Sequence, residues 1–270
     1  MSTLLQLQDI KFTYSGSRQA VLDGLSLTIQ QGQPLAILGP NGSGKTTLLH
    51  IILGWLKPAK GSLHLNGKLF LDYSRRELGQ LLALVPQNEP VSFEFSALDF
   101  VLFGRAPYLA PLEQPSKADQ IIALAALERV GLSSLANRSI MAMSGGEKQL
   151  LLIARALAQQ SNTILLDEPT THLDLGNKAR LTKLLRELAQ EGHNLIFTTH
   201  EPDFALALSE RTIMMQKGQI LFDGNTSTVI NSAALTKLYG SPVEVIAYEG
   251  RFLIRWDNEA PRVSQAHSSA

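Results

Sequence analysis

The sequence predicts an α/β fold: a mostly parallel β core, an antiparallel β layer towards the amino end and an inserted helical lobe. Three observations predict it. Unbroken apolar runs at 34–38, 164–166 and 195–197 read as strands buried on both faces. Alternating apolar residues open the chain, and the stretch from about 96 to 158 turns to helical spacing.

In chain order, Leu5, Leu7 and Ile10, then Leu25, Leu27 and Ile29, alternate between punctuating glycines at 24 and 32, the pattern of an antiparallel layer. Pro34-Leu35-Ala36-Ile37-Leu38 runs into glycine-rich sequence, followed by helical spacing from Thr46 to Trp55. In the lobe, Ile121, Leu124, Ala125 and Leu127 are expected to share one helix face. The parallel core resumes with Ile164-Leu165-Leu166 and Leu195-Ile196-Phe197, joined by helical periodicity from Arg180 to Glu191, a βαβ unit. A late hairpin is expected from Val243–Tyr248 and Arg251–Trp256 around Glu249-Gly250. The division expected is a β-rich core over 1–95 and 159–257, a helical subdomain over 96–158 and a disordered polar tail over 258–270.

Composition narrows the function. The chain has 270 residues with 24 basic and 24 acidic side chains, so its overall charge recruits neither nucleic acid nor acidic lipid. Cysteine is absent, which removes disulfides and thiolate chemistry. No apolar run approaches the ~18 residues that span a bilayer, so a cytosolic home is expected and any membrane role must come through a partner.

Gly39-Pro40-Asn41-Gly42-Ser43-Gly44-Lys45-Thr46 satisfies G-x-x-x-x-G-K-[ST] between an expected strand and helix, the context a phosphate-cradling loop needs. Glycines let several N–H groups converge on one phosphate, and the helix adds its positive end. Lys45 would reach the β- and γ-phosphates of ATP, Thr46 would hold Mg²⁺, and Thr47 would bond nearer the sugar. Asp167 and Glu168 end an apolar strand. Burying two carboxylates makes sense where a cation or a proton transfer awaits them: Asp167 for Mg²⁺, Glu168 for the attacking water, on the argument that successive strand residues face opposite ways. His200 closes the next apolar run, where it either caps the strand or bonds the γ-phosphate. Ser144-Gly145-Gly146-Glu147 precedes a helical pattern over Lys148 to Gln159, which reads either as a plain capping box or as a second anion-binding helix end.

These motifs together resemble the nucleotide-binding subunit of ABC transporters over nearly the whole chain. The resemblance implies a P-loop NTPase fold with a RecA-like core. It casts Met143-Ser144-Gly145-Gly146-Glu147 as the signature motif and Val85-Pro86-Gln87 as the Q-loop, with Gln87 sensing Mg²⁺ and water. Tyr14 would stack on adenine, although a strand-face core aromatic is the plainer reading of that residue. His172-Leu173-Asp174 would form the D-loop, and His200 the switch histidine. Two copies would then sandwich two ATP molecules head to tail, each between one copy's cradle and the other's signature. Met143 departs mildly from the usual leucine, Glu147 stands where glutamine is commoner, and Lys148 and Leu150 dilute the arginines often found there; altered affinity or rate is expected.

Gly104–Leu109, Pro115–Asp119, Thr171–Leu175 and Tyr239–Val243 resemble the importer group handling iron–siderophore, haem, cobalamin and some oxyanions. That group implies an integral membrane permease, a separate substrate-binding protein and a peripheral place on the cytoplasmic face of the inner membrane. Two other readings share the phosphate loop: a soluble ABC ATPase of the Fe–S scaffold type, and a regulatory module without turnover.

Overall fold

The structure, a computed structural model, describes residues 2–87, 89, 94–171, 173–248 and 251–256. The expected tail, His172 and Glu249-Gly250 lie outside the described residues.

The chain opens with β1 (Thr3–Phe12) and β2 (Leu22–Gln30), paired antiparallel with Leu7 opposite Leu27 and Ile10 opposite Leu25. The alternating leucines thus meet across the ladder, as their spacing predicts. Next come β3 (Leu35–Leu38), α1 (Lys45–Ile52), β4 (Lys60–Leu65), β5 (Lys68–Leu69), α2 (Arg75–Leu81) and β6 (Leu82–Val85). The lobe holds α3 (Ala97–Leu102), α4 (Lys117–Arg129) and α5 (Gly145–Ala158). Then follow β7 (Thr163–Asp167), α6 (Leu175–Gln190), β8 (Asn194–Thr199), α7 (Pro202–Leu208), β9 (Arg211–Gln216), β10 (Gln219–Asn225), α8 (Thr226–Val229) and α9 (Ser232–Tyr239). The expected hairpin is β11 (Glu244–Tyr248) with β12 (Arg251–Arg255).

Local sequence starts the helices. α2, α3, α4 and α5 each begin with a serine whose hydroxyl caps the first turn while an acidic side chain three residues on bonds back. These boxes satisfy N–H groups that would otherwise lack partners.

One sheet has the order β2-β1-β4-β5; the other has the order β10-β9-β3-β8-β7-β6, parallel from β9 to β6 with β10 antiparallel at its edge. The pleat divides the core. Ala36, Leu38, Ile164, Leu166, Leu195 and Phe197 pack with the helical lobe, α6, α7 and α9. Their strand neighbours Leu35, Ile37, Leu165 and Ile196 point the other way, onto α1 and the antiparallel layer. The parallel sheet is therefore covered on both faces, as its apolar runs require. The carboxyl ends of β3, β6, β7 and β8 share one edge, where chemistry belongs in such sheets.

One expectation about the lobe is corrected. Leu127 is buried, but Ile121, Leu124 and Ala125 face outward, and the inner face of α4 is Ala123, Ala126, Leu127 and Val130 just beyond its end. Alanines there let α4 approach α3 and α5 closely, so size rather than hydropathy chooses the face.

The 104–109 and 115–119 segments do more than join helices. Arg105, buried, donates from Nε to Asp119 Oδ1 at 2.9 Å and from Nη1 to the Ala158 carbonyl at 2.8 Å, under the Tyr108 ring at 4.0 Å. Hydrogen bonds from Ser116 and then Arg105 pull the Asp119 carboxyl down to about 2. The pair fastens the start of α4 to the far end of α5.

Candidate active site

The phosphate loop leaves β3 at Leu38. The Gly39 N–H donates to the Thr199 carbonyl at 3.2 Å, and a Cβ at Gly39 would collide with the Met215 carbonyl, so the approach of β3 to β9 demands glycine. Gly44 enters α1 with φ 100° and gives it no side-chain cap, so no cap side chain claims the first N–H groups. Asn41 and Gly42 are exposed at the loop tip, as is Thr46 on the first turn of α1. Ser43 is buried and its hydroxyl has no hydrogen-bond partner. An orphaned, buried hydroxyl in a glycine-rich loop fits a bound phosphate.

Lys45 is buried beneath the loop. Its Nζ donates to the Gly39 carbonyl at 2.8 Å and the Pro40 carbonyl at 3.2 Å, and lies 3.1 Å from Glu168 Oε1. Thr47, one turn inside, bonds the Tyr14 hydroxyl at 3.1 Å. Tyr14 is 43% exposed, with its ring edge-on to Phe12 at 4.9 Å. It therefore stands beside the cradle and not in the strand core.

Asp167 and Glu168 diverge, though not by the alternation the sequence suggested. Asp167 ends β7 buried, its Oδ1 accepting from Thr198 Oγ1 at 2.5 Å. Glu168 has already left the strand with φ 46°, a left-handed conformation that costs a non-glycine residue about 1 kcal/mol or more. Its N–H donates to Thr198 Oγ1 at 2.9 Å, which holds that turn. Three polar side chains besides Lys45 meet its carboxylate at Oε2: His200 Nδ1 at 3.0 Å, Gln87 Nε2 at 3.3 Å and Thr171 Oγ1 at 3.3 Å. Burial alone would raise this carboxyl, but the hydrogen bond and charge of Lys45, then of His200, outweigh it and hold it below the ordinary range. The structure thus brings Lys45, Glu168, Gln87 and His200 into one cluster. Thr198 and Thr171 were missed from sequence; the polar end of an otherwise apolar β8 was the available signal for Thr198.

The Ser144 end of α5 is a capping box: Glu147 N–H donates to Ser144 Oγ at 3.3 Å, and Ser144 N–H to Glu147 Oε2 at 2.7 Å. The bond from the Ser144 backbone, then its hydroxyl, lowers the Glu147 carboxyl, with Arg138 3.8 Å away. The negative charge at this position is turned back into its own cap. Asp174 caps α6, accepting from Asn177 N at 2.8 Å, and the Asn177 side chain packs against Gly146. Asp174 therefore neighbours the Gly145-Gly146 end of α5. Among the described residues, no hydrogen bond or ion pair links 144–147 to Lys45, Glu168 or His200.

Fold and site define a P-loop ATPase: a phosphate loop and its lysine after β3, with two carboxylates at the end of β7, two strands away in the same parallel sheet. A family model described as ABC transporter matches residues 22–171, and the chain belongs to that family. The hemin import ATP-binding protein HmuV of Rhodococcus jostii is 34% identical over 90% of this chain and 82% of that protein. The molybdate import ATP-binding protein MolC of Haemophilus influenzae is 35% identical over 90% of each. Among solved structures, an inward-facing metal-chelate type ABC transporter aligns with TM-score 0.81 and 33% identity over 94% of this chain and 96% of that one. The ADP conformation of another ABC cassette, MJ1267, aligns at 0.79 and 26% over 89% and 98%. The chain is thus an ATPase of the transport-coupled kind. Among the described residues no helix is long and apolar enough to cross a membrane.

Proposed function

We propose that two copies of this chain close head to tail on two ATP molecules and drive a separate membrane permease that imports a chelated metal, haem or an oxyanion. The observation that carries the shared site is the separation, within one chain, of two anion-binding ends. Among the described residues no hydrogen bond or ion pair joins the cradle at 39–46 to the Ser144-Gly145-Gly146 end of α5, and in this reading the second end that one triphosphate meets comes from a second copy.

In this reading the loop N–H groups and the Ser43 hydroxyl bind phosphate, and Tyr14 stacks on the base. Lys45 passes from Glu168 to the phosphates. Glu168, charged at working pH, then accepts the proton of the attacking water, which Gln87 helps to hold while His200 bonds the γ-phosphate. Mg²⁺ would be held by Thr46, Asp167 and Gln87 with phosphate oxygens, the sparse protein shell that this ion favours, and it would neutralise developing charge on the phosphates. Asp174 would reach the shared nucleotide from beside the partner-facing signature end.

A groove of about 550 Å³ between the core and the helical lobe supports a permease partner. Its walls include Trp55, Leu78, Phe103 and Pro107, with Trp55 57% and Phe103 48% exposed. An apolar cleft across two lobes suits an amphipathic segment. The names of the relatives, hemin, iron chelatin and molybdate transport, support the cargo class. The protein would then sit on the cytoplasmic face of the inner membrane, with a binding protein delivering cargo on the other side.

Ser144→Arg tests the shared site. Hydrolysis is expected to fall by about 10²-fold or more, because a long side chain enters the space of the opposing phosphate. ATP affinity of the isolated monomer should stay within about threefold. Loss of monomer binding would contradict the shared site. Fractionation tests the permease: the chain should sediment with membranes only when an integral partner is co-expressed, and a purely soluble assembly would favour an Fe–S scaffold type motor.

A further inference from the structure

The main chain of His200 decides where its imidazole reaches, and a distant element holds that main chain. The His200 carbonyl accepts a hydrogen bond from Tyr239 Oη at 2.8 Å. That carbonyl lies just outside α7, whose first backbone acceptor is Glu201, bonded by the Ala205 N–H at 3.3 Å. On the other side of the peptide, the Glu201 N–H donates to Thr199 Oγ1 at 3.0 Å. Two side chains therefore hold the peptide plane that follows His200.

Tyr239 is itself firmly placed. It ends α9, whose Leu235 and Leu238 are fully buried, and Gly240 closes the helix at φ 69°. Gln216 Nε2 donates to the carbonyls of Lys237 at 3.2 Å and Leu238 at 2.8 Å, tying the same turn to the end of β9. Burial, with the Glu168 charge adding to it, pushes the phenol well above its ordinary range. Tyr239 thus stays a hydrogen donor at any working pH and stands within the electrostatic field of Glu168. Both Tyr239 and α9 lie beyond the residues 22–171 that match the family model.

We propose that Tyr239 is a positioning residue for His200: through one hydroxyl, α9 sets the height of the histidine over the γ-phosphate. The proposal rests on His200 contacting that phosphate, as argued above. A hydrogen bond to a main-chain carbonyl differs here from mere packing, because its effect runs through one side chain. Its removal should slow the step that uses His200 and leave nucleotide binding, made by the loop and Tyr14, as it was.

The test is Tyr239→Phe, which removes the hydroxyl and keeps the ring, measured alone and combined with His200→Ala. Turnover should fall about 3- to 10-fold with KM for ATP within about twofold. In the His200→Ala background, with single-turnover rates measured well below the melting midpoint, the same substitution should cause no further fall. Wild-type turnover in Tyr239→Phe, or an equal fall in both backgrounds, overturns the proposal. If His200→Ala alone keeps wild-type turnover, the γ-phosphate role fails and takes this inference with it. A slow His200→Ala beside an unaffected Tyr239→Phe sinks the inference alone.

Discussion

Replacing Glu168 with glutamine is expected to slow ATP turnover by roughly 10³-fold and to leave ATP held between two copies of the chain. The carboxylate is the only acidic group that meets Lys45, Gln87 and His200 together among the described residues, and its partners keep it ionised. An ionised carboxylate is the form that accepts a proton from water. Glutamine keeps the shape and surrenders the basicity. It also removes a negative charge from the edge of the triphosphate site, so ATP binds at least as well and the closed pair persists. Two measurements check this: phosphate release, and size-exclusion chromatography with saturating Mg·ATP, where the variant should elute as a dimer. A variant that elutes as a monomer under saturating ATP contradicts the shared site, whatever its rate.

Much of this site was legible because its chemistry demands particular residues next to one another in the chain. Eight consecutive residues make the cradle, and Asp167-Glu168 closes an apolar run; neither needs tertiary information to be seen. The antiparallel pairing of β1 with β2 was legible for a different reason: the period of two in Leu5-Leu7 and in Leu25-Leu27-Ile29 suits a strand, while Ile10, three residues past Leu7, is buried across a register shift of the ladder. β4 escaped, since Gly61, Ser62 and His64 dilute its alternation and its pairing to β1 and β5 establishes it. The buried face of α4 was misread because apolar side chains lie around much of that helix. Close packing against α3 and α5 then selects alanines and leaves Ile121 and Leu124 outside. Glu168 separates from Asp167 through one backbone dihedral, which no side-chain pattern encodes. The bond from Tyr239 to His200 spans 39 residues and exists only once α9 has docked on the sheet.

Lys45→Ala is expected to abolish measurable hydrolysis, a loss of about 10³-fold or more, because no other cation in the cradle reaches the phosphates. It should also disturb the protein before any nucleotide arrives. Lys45 fastens the Gly39 and Pro40 carbonyls and faces Glu168 from a buried position. Without it, that carboxylate keeps His200, Gln87 and Thr171 but loses its strongest counter-charge, so the stability cost should be about 2 kcal/mol, below the ~3–5 kcal/mol of a fully stranded buried charge. The pH dependence follows from the sign of the shift. In the wild type the Glu168 carboxyl lies below its ordinary 4.5, so its contribution is present above that pH and is lost as pH falls through the lowered value. Removing Lys45 removes the leading cause of that lowering, and burial then dominates. A raised carboxyl destabilises the fold as pH rises above 4.5, so the deficit of Lys45→Ala should widen between pH 4.5 and 7 in thermal melts. Adding Glu168→Gln should recover most of that pH-dependent deficit and none of the hydrolysis. A deficit that stays constant over this range would mean that Lys45 stabilises the loop through the two carbonyls alone, and that the ion pair with Glu168 contributes nothing to the fold.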